Sequence, residues 1–240
     1  MNIHWTDHLL FLLLGVWLPW RSISAGPSPL EGVRFDTRAK LALYWGNNAW
    51  LWLLTLLVAG VWYGNGRSWA LLGMAPMQTA ERGWPYLALG LFVALYVADT
   101  IADIRDQVRR ADTRATLRES MGFLPENGRE FLHFIPVALT AGFCEEVIFR
   151  GYMLRYLQAV LAGLDGSYTL ALLGAGAVFG SVHLYQGWRA VVKIMSMAVL
   201  FGYVFVHTGS IWLLAGLHFL IDLAGGGLAW QLLRRAKDDH

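Results

Sequence analysis

Charge is scarce in this sequence. Only 15% of its 240 residues are Asp, Glu, Lys or Arg, against about 25% in a typical soluble domain. That shortage argues against a water-soluble protein, and the 56% apolar content points the same way. Cysteine is nearly absent too. The one thiol, Cys144, excludes an intrachain disulfide and leaves the redox compartment open. A formal net charge of +2 gives no reason to expect nucleic acid as a partner. There is no internal repeat, no low-complexity tract, and no HExxH pair of the kind that holds catalytic zinc. No Lys or Arg precedes the apolar block Leu9 to Trp20, although a secretory signal needs a basic stretch there. Despite the small residues Ser22-Ile23-Ser24, the block is expected to stay on the chain as a first span.

What the sequence does have is apolar runs of roughly 15 to 25 residues, long enough to cross a bilayer. They predict spans near 4–20, 41–63, 84–103, 131–157, 169–185, 190–207 and 210–233. The expected fold is all-α, a polytopic transmembrane bundle of about seven spans forming one membrane domain, residues 1–240. Many of the twelve tryptophans lie near run ends, where amphipathic rings favour the lipid–water interface. Span one is the weakest, being short, bounded by Pro19 and containing Asp7. Basic residues alternate between connections: Arg21, Arg34, Arg38 and Lys40 after span one, then few, then a cluster including Arg109, Arg110, Arg114 and Arg118. The positive-inside bias then predicts an outside N-terminus and a cytoplasmic C-terminus. Ser68 to Met74 reads as a short interfacial helical turn ending near Gly73. Residues 104–122 read as a solvated extension of span three, whose charges are a topology signal and not a binding site. Nothing in the pattern specifies an oligomeric state.

Cys144-Glu145-Glu146-Val147-Ile148-Phe149-Arg150 puts two carboxylates and a guanidinium inside an apolar run. Ionisable groups at membrane depth are costly and usually mark a working site. On a helix, Glu146 and Arg150 are four apart and can pair. Glu145 points about 100° away and stays free to face a cavity. From this segment alone, a structural ion cluster explains the residues as well as a site does. Depth favours the site. At about 1.5 Å per residue, Glu145 lies roughly 18 Å from the outer end of span four, and His183 roughly 20 Å from the start of span five. His218 and Asp222 fall roughly 10 and 16 Å into span seven, sharing one face. All four therefore fit one slab near mid-membrane, which suggests water-activating chemistry inside a bilayer.

Other residues carry less. Cys144 as a nucleophile is disfavoured, since a buried thiol beside carboxylates resists ionisation. His4 and His8 are four apart around Asp7 and could hold a metal, but ordinary interface chemistry explains them. Asn47, Asn48, Asp99 and Asp103 fit helix-to-helix hydrogen bonding as well as a substrate groove.

Glu145-Glu146-Val147-Ile148-Phe149-Arg150-Gly151-Tyr152 resembles the EExxxR motif of the CAAX protease and bacteriocin-processing family. Phe179-Gly180-Ser181-Val182-His183 is similar to its FxxxH motif, and His218-Phe219-Leu220-Ile221-Asp222 to its third, which ends in Asn or Asp. The resemblance covers roughly residues 130–230. It implies a catalytic core over 129–233, preceded by spans and loops that vary between members (1–128) and followed by a tail (234–240). It also implies an intramembrane glutamic endopeptidase without a cofactor. Glu145 would be the general base and polarise a water together with His183. Glu146 and Arg150 would hold the architecture, and His218 and Asp222 would stabilise the oxyanion. Desolvation strengthens a carboxylate as a base, and fixed positive dipoles are needed where negative charge grows. Asp222 departs from the Asn of eukaryotic prenyl-protein processing members, because an ionised Asp cannot donate a hydrogen bond. It is therefore expected to pair with His218 and keep that imidazole a donor. Small size and subtype suggest a bacterial cytoplasmic membrane and a peptide or membrane-protein substrate.

Two other readings stay open. Glu145, His183 and His218 could be zinc ligands, a set suited to catalysis. Alternatively the protein is a non-catalytic scaffold or a transporter that uses the buried charges.

Overall fold

The computed structural model describes residues 1–26, 32–77 and 83–234, so most of the predicted 234–240 tail lies outside the described residues. Among them are eight helices and no strand: α1 (Trp5–Ala25), α2 (Thr37–Gly64), α3 (Trp84–Arg105), α4 (Gln107–Ser120), α5 (Gly128–Val160), α6 (Ser167–Val182), α7 (Trp188–Thr208) and α8 (Trp212–Arg234). Side-chain caps start three of them. Asp36 accepts from Ala39 N at 2.7 Å, Asp106 from Arg109 N at 2.8 Å and Asn127 from Glu130 N at 3.0 Å. Each satisfies a backbone N–H that would otherwise lack a partner at the helix start.

Six helices, α1, α2, α3, α5, α7 and α8, are long and apolar enough to cross a membrane. The protein is an integral membrane protein. The predicted span 169–185 differs: α6 has 16 residues, about 24 Å against a hydrocarbon core of about 30 Å. It stops because His183 leaves the helical conformation (φ −100°, ψ 10°) and its N–H bonds Gly180 O at 3.1 Å. A 3-10 turn, Leu184–Gln186, and Gly187 at φ 85° then redirect the chain into α7. Only glycine adopts that last conformation without strain. About seven expected spans thus become six full-length helices and one that ends part-way.

Two other expectations change. The stretch 104–122 is not a continuation of α3, because Asp106 takes an extended ψ of 127° and caps a separate helix, α4. Span one is firmly attached by the residue that weakened it on paper. Asp7 is fully buried and forms an ion pair with Arg67, and its carbonyl accepts from Tyr152 Oη at 2.7 Å. Ser68 to Met74 forms tight turns (Leu71 N to Ser68 O 3.1 Å, Gly73 N to Ala70 O 3.0 Å) and buries Leu72. Ile211 N donates to Gly73 O at 3.0 Å, so this loop is tucked against the start of α8.

Helix α5 is central and packs against α2, α6 and α8, while α3 lies at the periphery against α7 and α4. The main core gathers Val58, Trp62, Ile148, Phe179, Phe201 and Phe205, and a second cluster joins Tyr44, Phe134, Ala138 and Ala229. At the end of the bundle where α2 and α5 begin, buried Lys40 reaches Glu126 at 2.9 Å and Glu130 at 3.3 Å. This end also carries α4 and is the basic end.

Candidate active site

Glu145, Glu146 and Arg150 sit near the midpoint of the 33-residue helix α5. The α-helix runs to Glu145, and a wide π-helical stretch occupies Glu146–Leu154. Such wide turns are rare and often accompany functional sites. Helix α8 approaches α5 closely at Gly142, where any Cβ would stand 2.8 Å from Ala215 O and 2.8 Å from Phe219 N. Only a residue without a side chain allows that approach, and it sets Glu146 opposite His218.

The structure brings all six predicted residues together. Arg150 Nη1 lies 3.0 Å from Glu146 Oε1, both side chains essentially buried. The guanidinium also lies over the rings of Phe179 (4.7 Å) and Phe201 (5.4 Å). A desolvated cation is thus held by one carboxylate and two ring faces. Glu146 is not used up by Arg150: its Oε1 also lies 2.9 Å from His218 Nδ1. A carboxylate accepts, so Nδ1 carries the proton and Nε2 faces the other acids. His218 Nε2 is 3.7 Å from Glu145 Oε2 and 3.7 Å from Asp222 Oδ2. The expected Asp222–His218 contact is therefore in ion-pair range, while the hydrogen bond goes to Glu146.

His183 is oriented by its own helix. Its Nδ1 is 2.8 Å from Phe179 O, and a carbonyl only accepts, so Nδ1 is the donor. The four-residue spacing of Phe179 and His183 follows from this backbone contact. Nε2 then points at Glu145 Oε2, 3.8 Å away. Glu145 Oε2 is buried and makes no hydrogen bond to protein. The side chains of Glu145 and His183 are 13% and 14% exposed and that of Asp222 is 33% exposed, so the group opens past Asp222.

Sequence reasoning missed three contacts of this group. Phe201 on α7 completes the Arg150 cradle, which no local pattern signals. Tyr185 stands 6.1 Å, ring to ring, from His183. The Glu146–His218 bond joins residues 72 positions apart. Elsewhere, Cys144 is fully buried, and His8 pairs with Tyr156 Oη at 2.8 Å. Among the described residues no three His, Cys, Asp or Glu side chains are placed as a group that could hold a metal.

Residues 127–224 match the family model described as Type II CAAX prenyl endopeptidase Rce1-like. The matched segment begins at the cap of α5 and ends just past Asp222, so it includes all six residues. No curated protein and no solved structure gives a match.

Proposed function

We propose, from the premise that the segment carrying the site belongs to the Rce1-like CAAX endopeptidase family, that this protein cleaves a peptide bond through water activated by Glu145 and His183. The observation that carries the reading is the pair of acceptors facing each other. Glu145 Oε2 and the Nε2 lone pair of His183 stand 3.8 Å apart, and a separation beyond 3.5 Å invites a bridging water. A water bonded at about 2.8 Å to each would donate both hydrogens, leaving its oxygen lone pairs free to attack.

In the reaction, the water oxygen bonds to the scissile carbonyl carbon as Glu145 takes one proton. His218, when doubly protonated, presents Nε2–H to the carbonyl oxygen as it gains negative charge. Collapse of the tetrahedral intermediate breaks the C–N bond, and Glu145 returns the proton to the leaving amine. Glu146 and Arg150 fix the orientation of His218. Asp222, near the same Nε2, balances its charge. In this reading the basic end of the bundle faces the cytoplasm, and the substrate is a membrane-associated protein or peptide.

The test is a comparison of membranes containing wild-type protein with membranes containing Glu145→Gln. A fragment that forms only with the wild type supports hydrolysis; identical fragment patterns reject it. Full retention of activity after chelator treatment is expected, and chelator sensitivity restored by zinc would favour a metalloenzyme.

A further inference from the structure

Where α4 crosses the basic end of the bundle, it borders an open cavity of about 410 Å³ lined by Arg109, Asp112, Thr113, Thr116, Leu117, Met121 and, from α7, Lys193. That volume is in the range of sites that hold small ligands, about 300–1,000 Å³. The lining identifies the kind of occupant. The two lining cations, Lys193 and Arg109, both bind Asp99, each at 2.9 Å, and Asp112 adds a second negative charge, so the cavity lacks the surplus cation that a phosphate would need. Two threonine hydroxyls can both donate to and accept from backbone amides. Leu117 and the adaptable thioether of Met121 offer apolar contacts. This mixture suits an extended polypeptide.

Ring contacts join this end of α4 to the catalytic group. Two residues beyond Met121, the Phe123 ring lies 5.9 Å from Tyr185, and Tyr185 lies 6.1 Å from His183. Helix α6 ends at Val182, and the turn Leu184–Gln186 separates His183 from this end. Helix α4 buries none of its residues and is fastened at its far end by Gly32 N donating to Glu119 O at 2.7 Å.

We propose that the cavity between α4 and α7 is the vestibule through which an extended polypeptide segment of the substrate reaches Glu145. This rests on the endopeptidase reading of the site. Cys144 is fully buried, so Thr116→Cys gives an impermeant thiol reagent one accessible target on the full chain; Ala115→Cys, exposed, about 100° round α4 from Thr116 and outside the cavity lining, is the control. In a Glu145→Gln background, a prenylated CAAX peptide is expected to slow labelling of Thr116→Cys several-fold and leave Ala115→Cys unchanged. With Glu145 intact, a bulky maleimide on Thr116→Cys is expected to cut hydrolysis of the same peptide at least about ten-fold, with no loss for Ala115→Cys. Protection without hydrolysis by any protein would keep the vestibule and reject the hydrolase. Hydrolysis that continues through a fully labelled Thr116→Cys would reject the vestibule and keep the hydrolase. Absence of protection would overturn the vestibule whatever the activity.

Discussion

Gly142→Ala is the most informative single change, because it adds one methyl group where α5 and α8 touch. The new Cβ would lie 2.8 Å from Ala215 O, 2.8 Å from Phe219 N and 3.1 Å from Phe219 Cα. All three are backbone atoms, so no side chain can swing aside. Relief to an ordinary carbon contact of about 3.5 Å needs the helices to part by about half an ångström or more. Glu146 is one turn further along α5, and His218 precedes Phe219, so the parting falls on their 2.9 Å hydrogen bond. Stretched to about 3.5 Å, that contact no longer holds the imidazole. Overpacking costs about 1–3 kcal/mol, and a hydrogen bond to a charged group contributes about 1.5–3 kcal/mol. A misplacement approaching 1 Å in a catalytic group lowers the rate about 10²-fold. Peptide hydrolysis and thermal unfolding in detergent would be measured together. The control is Gly216→Ala, one helix face away, where an added Cβ meets nothing within 4 Å; it is expected to keep the wild-type rate and Tm. A Gly142→Ala protein with wild-type rate and Tm would refute the claim that this contact sets the site geometry.

Further changes probe the buried charges. Glu146→Gln leaves Arg150 without its carboxylate at 2% exposure, and is expected to destabilise by about 3–5 kcal/mol in a denaturant titration. Asp222→Asn, at a third-exposed side chain beyond hydrogen-bond reach of His218, should leave the folded stability unchanged. Lys40→Met strands the buried Glu130 carboxylate and should cost about 3–5 kcal/mol, most of it recovered in Lys40→Met/Glu130→Leu. Tyr152→Phe removes the 2.7 Å bond to Asp7 O and should lower stability by about 1 kcal/mol without changing the rate.

Much of this was legible in the chain itself, because burying charge in lipid is costly and leaves a local mark. Glu145, Glu146 and Arg150 stood out in an apolar run, and their four-residue spacing predicted the Glu146–Arg150 ion pair that the structure contains. The level of His183 and His218 followed from helix rise alone. The end of α6 did not, because an apolar run continues through Val182 and only the conformation of His183 stops the helix. Asp7 read as a defect in span one because its partner, Arg67, lies 60 residues away. The same distance problem hid Phe201 and the bond that turns Glu146 towards His218. Sequence pattern exposed the unusual groups; long-range packing decided who holds them.

The most direct measurement is the rate of peptide hydrolysis by purified wild-type and Glu145→Gln proteins whose Tm values match. Loss of general-base assistance should lower the rate by about 10²–10⁴-fold while the Tm stays the same, since Glu145 Oε2 bonds no protein group. Equal rates from the two proteins would contradict the assignment of Glu145 as the base.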